Sequence, residues 1–119
     1  MMLKSNNHNS KTPNTSAILL AGGTSNRMGS KDKILSTLGE IPVLFHSLET
    51  LNSSPEIHSI IIVVPKDKIL AYQEQIPNGK FAKIQKICEG GNSRQESVHA
   101  GLNFVQSVKW VLIHDAARP

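Results

Sequence analysis

The apolar residues of this 119-residue chain follow two alternating patterns, short continuous runs and longer stretches with an apolar residue every three or four positions. Four continuous runs predict buried strands: SAILLA (16–21), HSIIIVVP (58–65), AKIQKICEGG (82–91) and KWVLIHDAARP (109–119). In the third run, Cys88 occupies an apolar position, which indicates a buried structural thiol rather than a reactive one.

Stretches with helical spacing separate these runs. Pro42 can open a first helix, and the apolar period after it ends at NSSP (52–55). A second amphipathic helix is predicted over 66–76. Ser93 and Glu96 have the spacing of a capping box before a third helix, and Gly101 inside that helix indicates close packing on the sheet. The periodic positions of the first helix are Val43, Leu44, Ser47, Leu48 and Leu51.

Continuously apolar strands joined by helices are typical of a parallel sheet covered on both faces, with right-handed crossovers. The predicted fold class is therefore α/β, a doubly wound and mostly parallel sheet, with residues 16–119 forming one domain. Residues 1–15 are rich in Asn and Ser and have no apolar period, so they are predicted to form a disordered tail, with a short transit sequence as the alternative.

The charge balance favours a small anionic ligand. The net charge is +4, but two of the 13 Lys and Arg residues, Lys4 and Lys11, lie in the tail, leaving 11 against 9 acidic residues. With no stripe of cations and interleaved aromatics, duplex nucleic acid is not expected as a partner. No apolar run reaches the roughly 20 residues of a membrane span and no signal peptide is visible, so we expect a soluble, cytoplasmic protein without a membrane partner.

A glycine loop, AGGTSNRMGSKDK (21–33), follows the first predicted strand and is the first candidate site. Its spacing fits neither a P-loop nor a dinucleotide fingerprint. Backbone N–H groups at Gly22 and Gly23 can approach phosphate oxygens, while Arg27 and a lysine supply positive charge. A simple turn with solvated cations is the alternative that composition leaves open.

The segment GGNSRQES (90–97) follows the third predicted strand. Gly91 and Asn92 precede a helix N-terminus, which can bind an anion or hydrogen-bond a base. Ser93 can act as a cap alone, whereas Arg94 and Ser97 share one face of the helix.

The segment HDAARP (114–119) follows the fourth predicted strand. Asp115 leaves a buried strand at a position suited to a Mg²⁺ ligand, with a loop-capping carboxylate as the alternative, and His114 is interpreted as structural. Because parallel strands bring their carboxyl ends to one end of the sheet, where ligands of such folds bind, we expect all three loops to meet there.

Together, LLAGGTSNRMGSKDKILSTLGEIPVLFHSL, GGNSRQESVHAGL and VLIHDAARP resemble the 2-C-methyl-D-erythritol 4-phosphate cytidylyltransferase family over 16–119. The resemblance implies a Rossmann-like nucleotidyltransferase fold and an enzyme of non-mevalonate isoprenoid biosynthesis. In the implied reaction, CTP transfers its cytidylyl group to 2-C-methyl-D-erythritol 4-phosphate and pyrophosphate leaves. Mg²⁺ is the implied cofactor, and CTP and a sugar-alcohol phosphate are the implied small-molecule partners.

The resemblance also implies a role for each matching residue. Arg27 and Lys33 would be catalytic, stabilising charge on the transferring α-phosphate. Asp115 would hold the metal, and Arg118 would face the methylerythritol phosphate. The residues implied to contact CTP are Ala21, Gly22, Gly23 and Ser25 at the phosphates and ribose, Gly91, Asn92 and Ser97 at the cytosine, and Ala116 near the ribose.

Family members are about twice as long and form homodimers, so the resemblance implies that residues 16–119 are the nucleotide-binding half, incomplete relative to the family. From this truncation we expect CTP binding with little turnover by this chain alone. Two other functions stay open at this point. One is a ribitol-5-phosphate or other sugar-phosphate nucleotidyltransferase, and the other is a non-catalytic nucleotide-binding module.

Overall fold

A computed structural model describes residues 2–4, 14–21, 43–77, 79–106 and 108–116. Its five strands are β1 (Met2–Lys4), β2 (Thr15–Leu20), β3 (Ile57–Val64), β4 (Ile84–Glu89) and β5 (Trp110–Asp115). The helices are α1, described over 43–53, α2 (Ile69–Gln75), which follows a 3-10 turn at Lys66–Lys68, and α3 (Arg94–Leu102).

All five strands form one sheet in the order β1-β5-β2-β3-β4. The pairs β5–β2, β2–β3 and β3–β4 are parallel, and β1 pairs antiparallel with β5. The central strand β2 is buried on both faces, which explains its unbroken apolar run. Between β2 and β3, the buried hydroxyls of Ser16 and Ser59 form a hydrogen bond, with their Oγ atoms 2.7 Å apart.

The helices cover opposite faces of this sheet. Leu44 and Leu48 of α1 and Tyr72 of α2 pack with Leu19 and Ile62 on one face. On the other face, Val98 and Leu102 of α3 pack against a second cluster formed by Ile18, Ile61, Val63, Cys88, Val108, Val111 and Ile113. The predicted doubly wound α/β fold is confirmed.

Two local predictions are confirmed within this packing. A Cβ atom added at Gly101 would lie 2.9 Å from Ile18 Cγ2 and 3.1 Å from Val63 Cγ2, so α3 approaches the sheet more closely than a side chain there would allow. Cys88 is buried on β4, and this burial raises the pKa of its thiol above the ordinary value.

The prediction of a disordered tail over 1–15 is wrong at both ends of that segment. Met2–Lys4 pair with β5 as the edge strand β1, and Thr15 already belongs to β2. The physical reason is that β5 would otherwise present a row of unpaired N–H and C=O groups, which a short extended segment can satisfy. Residues 5–13 lie outside the described residues, as does Pro42. No helix in the described ranges is long and apolar enough to cross a membrane.

Candidate functional site

The carboxyl ends of four strands meet at one end of the sheet, called here the carboxyl end. Backbone pairing continues one residue past three strands: Ala21 N–H donates to Val63 O (2.9 Å) and Ala116 N–H to Leu20 O (2.9 Å). Gly90 N–H likewise donates to Val64 O at 2.8 Å. The glycine loop, the segment 90–97 and the segment after β5 therefore all begin at this end, as the sequence predicts.

The N-terminus of α3 is capped by two side chains. Ser93 has an extended backbone (φ −134°), and its Oγ accepts a hydrogen bond from Glu96 N–H at 3.1 Å. The Glu96 carboxylate accepts from Asn92 N–H at 2.7 Å, one residue before the cap. The predicted capping box thus forms with a shifted second bond, and it helps to hold the loop before α3 in place.

Gly91 and Ser97 are joined by a further hydrogen bond. Gly91 N–H donates to Ser97 Oγ at 3.2 Å, so the Ser97 hydroxyl keeps its own proton to donate elsewhere. The N–H groups of Gly91 and Asn92 are already used inside the protein, which differs from the expectation that both serve a ligand directly.

Two glycines make this close arrangement sterically possible. A Cβ atom at Gly90 would lie 2.5 Å from Ser97 Oγ, and one at Gly91 would collide with the Cβ of Glu96. Any larger residue at either position would therefore have to push the loop away from α3.

Asp115 and Arg94 form an ion pair at the same end. Arg94 Nη2 lies 3.2 Å from Asp115 Oδ2, and Arg94 Nε lies 3.3 and 3.4 Å from Oδ1 and Oδ2. The two side chains are 51% and 31% exposed. Since α3 packs on β2 and β3 while Asp115 ends β5, the pair connects the start of the helix to the end of the neighbouring strand.

His114 serves the opposite face of the sheet. Its Nε2 lies 3.5 Å from Ser47 Oγ on α1, a contact that links β5 to the helix covering that face. The contact is in keeping with a structural role for His114.

The donor chemistry at Asp115 suits a hard divalent cation. The carboxylate is partly exposed and already holds one cation, the Arg94 guanidinium. Among the described residues no group of three His, Cys, Asp or Glu side chains could hold a metal ion. A single carboxylate suffices for Mg²⁺ when nucleotide phosphates and water supply the other ligands.

The structure thus brings six of the predicted site residues to one end of the sheet: Ala21, Gly91, Asn92, Ser97, Asp115 and Ala116. Gly22, Gly23, Ser25, Arg27, Lys33 and Arg118 lie outside the described residues. Sequence reasoning missed the pairing of Arg94 with Asp115, although opposite charges after two strands that end together were a usable signal.

Comparisons with known proteins agree on one family. The family model described as "IspD: 2-C-methyl-D-erythritol 4-phosphate cytidylyltransferase" matches residues 15–119. A protein of that name from Dehalococcoides mccartyi is 44% identical over 103 residues, covering 87% of this chain and 45% of the relative. One from Lachnospira eligens is 41% identical over 104 residues, covering 87% of this chain and 46% of the relative.

A solved structure shares the fold. The 4-diphosphocytidyl-2C-methyl-D-erythritol synthase of Anaerococcus prevotii superposes with a TM-score of 0.59 at 24% identity, covering 88% of this chain and 44% of that one. The chain spans about half the length of the curated relatives it matches.

Proposed function

The chain belongs to the 2-C-methyl-D-erythritol 4-phosphate cytidylyltransferase family, and we propose that it supplies the CTP-binding part of such an enzyme. The observation that carries this proposal is the meeting of 90–97 with Asp115 and Ala116 at the carboxyl end of a doubly wound sheet. Folds of this kind bind ligands there, and nucleotide recognition needs polar groups from several strand ends at once.

The proposed reaction is a direct substitution at the α-phosphorus of CTP, which transfers the cytidylyl group. A phosphate oxygen of 2-C-methyl-D-erythritol 4-phosphate attacks the α-phosphorus of CTP and forms the new P–O bond. The bond from that phosphorus to the oxygen bridging the α- and β-phosphates breaks, and pyrophosphate leaves with the electron pair. Arg27 and Lys33 are proposed to stabilise the charge that develops on the α-phosphate, so catalysis rests on positioning and electrostatics.

The segment before α3 is proposed to recognise the cytosine. Ser97 can donate its hydroxyl proton to a base acceptor while its oxygen still accepts from Gly91 N–H. Asn92 is exposed and offers both an amide donor and a carbonyl acceptor, the two functions that a cytosine edge requires. The Glu96 bond to Asn92 N–H orients the backbone from which that side chain projects.

Other residues are proposed to hold the phosphates, the ribose and the acceptor. Asp115 would hold Mg²⁺, which neutralises phosphate charge when bound. Arg118 would bind the phosphate of the acceptor. The remaining nucleotide contacts are assigned to Ala21, Gly22, Gly23, Ser25 and Ala116.

This chain by itself is proposed to bind CTP with little turnover, because it spans about half the length of its relatives. The substrates are small phosphorylated metabolites, for which a cytoplasmic location is proposed. The small surplus of cations outside residues 1–15 favours such ligands over nucleic acid.

Calorimetric titration with CTP, ATP and GTP in Mg²⁺ tests the proposal. We expect preferential CTP binding that is at least tenfold weaker in Arg27→Ala, since a charge-assisted contact to phosphate is lost. Lys109→Gln removes one positive charge at the opposite end of the sheet and should leave the affinity unchanged. Equal affinity for all three nucleotides, or no binding, would contradict the proposal.

A pyrophosphate-release assay tests the acceptor separately. With the chain alone we expect almost no release from CTP plus 2-C-methyl-D-erythritol 4-phosphate. Release at the rate of a complete family member would contradict the proposed low turnover, and faster release with ribitol 5-phosphate would contradict the proposed acceptor.

A further inference from the structure

The Arg94–Asp115 ion pair occupies the carboxylate that the proposed function assigns to the metal. We propose that Arg94 is an exchangeable counter-ion, which holds Asp115 in the nucleotide-free chain and moves to a nucleotide phosphate when a divalent cation takes the carboxylate. This inference rests on the proposed function. It gives Arg94 two roles, positioning Asp115 before nucleotide binds and binding a phosphate afterwards.

Arg94 can leave Asp115 without disturbing the fold. Its side chain is 51% exposed, and the start of α3 is capped by Ser93 and Glu96 rather than by Arg94. Ion pairs this exposed change an equilibrium by only about two- to fivefold, because water and salt screen them. The pair is thus strong enough to orient the carboxylate and weak enough to be exchanged.

The exchange keeps every charge paired. When the two side chains are paired, the guanidinium and the carboxylate neutralise each other at 3.2 Å. A nucleotide with its divalent cation brings both a cation for Asp115 and anionic oxygens for Arg94. The planar guanidinium fork matches a phosphate as well as it matches a carboxylate, so one side chain can serve both states.

This mechanism predicts opposite changes in two affinities when Arg94 is removed. Mn²⁺ alone must displace Arg94 to reach Asp115, so Arg94→Gln should bind Mn²⁺ about two- to fivefold more tightly. CTP without a divalent cation should bind about tenfold more weakly to the same variant, since a charged donor to phosphate is lost. A residue with a purely structural role would weaken both or change neither.

The experiment measures Mn²⁺ binding by electron paramagnetic resonance and CTP binding by calorimetry in EDTA, with the 119-residue chain. Asp115→Asn should show the reverse pattern, with Mn²⁺ binding lost and metal-free CTP binding strengthened because Arg94 is released. Arg94→Lys keeps the charge and should lie between wild type and Arg94→Gln. Lys109→Gln, with one cation fewer at the other end of the sheet, should match wild type, and circular dichroism checks that all variants are folded.

The two measurements separate the inference from the proposed function. If the wild type binds no CTP, the proposed function fails, and unchanged or weaker Mn²⁺ binding in Arg94→Gln then overturns the inference as well. If CTP binds preferentially to the wild type but both affinities fall together in Arg94→Gln, the inference alone is overturned. Opposite changes in the two affinities support it.

Discussion

The two ends of the sheet use similar polar residues in different ways. At the amino end, where the parallel strands begin, side chains bind the backbone: Asn52 Oδ1 accepts from Lys83 N–H at 3.1 Å, and Lys83 Nζ donates to Ser54 O at 2.6 Å. At the carboxyl end, Arg94 and Asp115 pair with each other on the surface. Breaking a hydrogen bond to a buried or half-buried backbone group leaves that group without a partner and lowers stability. An exposed pair of side chains can separate into water at little cost in free energy.

From this difference we expect the amino end to contribute mainly to stability and the carboxyl end to bind nucleotide. At the amino end, these hydrogen bonds connect the end of α1 to the segment between α2 and β4, so the polar groups there contribute to the stability of the fold. The carboxyl end keeps its loop in place with glycines and a cap and leaves charged and amide groups exposed. Changes at the amino end should therefore lower stability and leave the affinity for nucleotide unchanged. Changes at the carboxyl end should lower this affinity where they affect groups that contact the nucleotide, and should also lower stability where they affect the cap or the glycines.

Gly91→Val should have the largest effect, because it should lower both the stability of the fold and the affinity for CTP. The new Cβ collides with Glu96 and removes the bond from Asn92 N–H to its carboxylate. We expect a loss of about 2 kcal/mol in the free energy of unfolding, measured in urea, together with at least a tenfold loss of CTP affinity. Wild-type affinity in this variant would show that the loop before α3 does not contact the nucleotide.

Asn52→Ala, at the amino end, should lower stability without changing nucleotide binding. It leaves the partly buried Lys83 N–H without its acceptor, which costs about 1 to 3 kcal/mol of stability. CTP affinity, measured under conditions where the variant is folded, should stay within twofold of wild type. Asn52→Asp keeps the acceptor oxygen and serves as the matched control, with a smaller loss expected.

Ser93→Ala should have a smaller effect on stability at the carboxyl end. Losing the cap bond to Glu96 N–H costs about 1 kcal/mol, and Ser93→Asp should restore most of it because aspartate caps as well as serine does. Urea unfolding of the three proteins checks this. Equal stability of the alanine variant and wild type would show that α3 does not depend on this cap.

The smallest predicted effect concerns Cys88 and pH. Burial raises its pKa, with Lys86 opposing and Glu89 adding to the shift. Above the ordinary thiol pKa of about 8.5, the unfolded chain ionises while the folded chain stays protonated, so stability falls with rising pH until the folded pKa is passed. The pH slope of unfolding free energy should be shallower in Cys88→Ala; identical slopes would contradict a buried, protonated thiol.

Local patterns were enough to predict most of the fold. The runs ending at Leu20 and Val64 became parallel strands with nearly every residue buried, because a strand covered on both faces must be apolar at almost every position. The run ending at Asp115 also became a parallel strand, although it is only partly buried. The spacing of Ser93 and Glu96 predicted the cap, since that bond joins residues three apart. Gly101 predicted the close packing of α3 on the sheet. Glycine inside a helix is less stable than alanine, and a tight contact with the sheet explains why it is there.

The features that escaped prediction depend on contacts between distant residues. Met2–Lys4 form β1 only because β5 offers an unpaired edge more than 100 residues later in the chain. Arg94 meets Asp115 across the connection between α3 and β5, a contact that no local period encodes. The capping box also differs from the predicted one, because the Glu96 carboxylate accepts from Asn92 N–H and not from the N–H of the cap residue, Ser93.

An amide chemical-shift titration of the ¹⁵N-labelled chain with CTP and Mg²⁺ tests whether the carboxyl end of the sheet binds nucleotide. We expect the amides of Gly91, Asn92, Ser97 and Ala116 to shift and saturate together, while those of Lys83 and Lys109 at the amino end keep their positions. Shifts confined to the amino end, or to the groove beside Gln73 and Phe81, would contradict it.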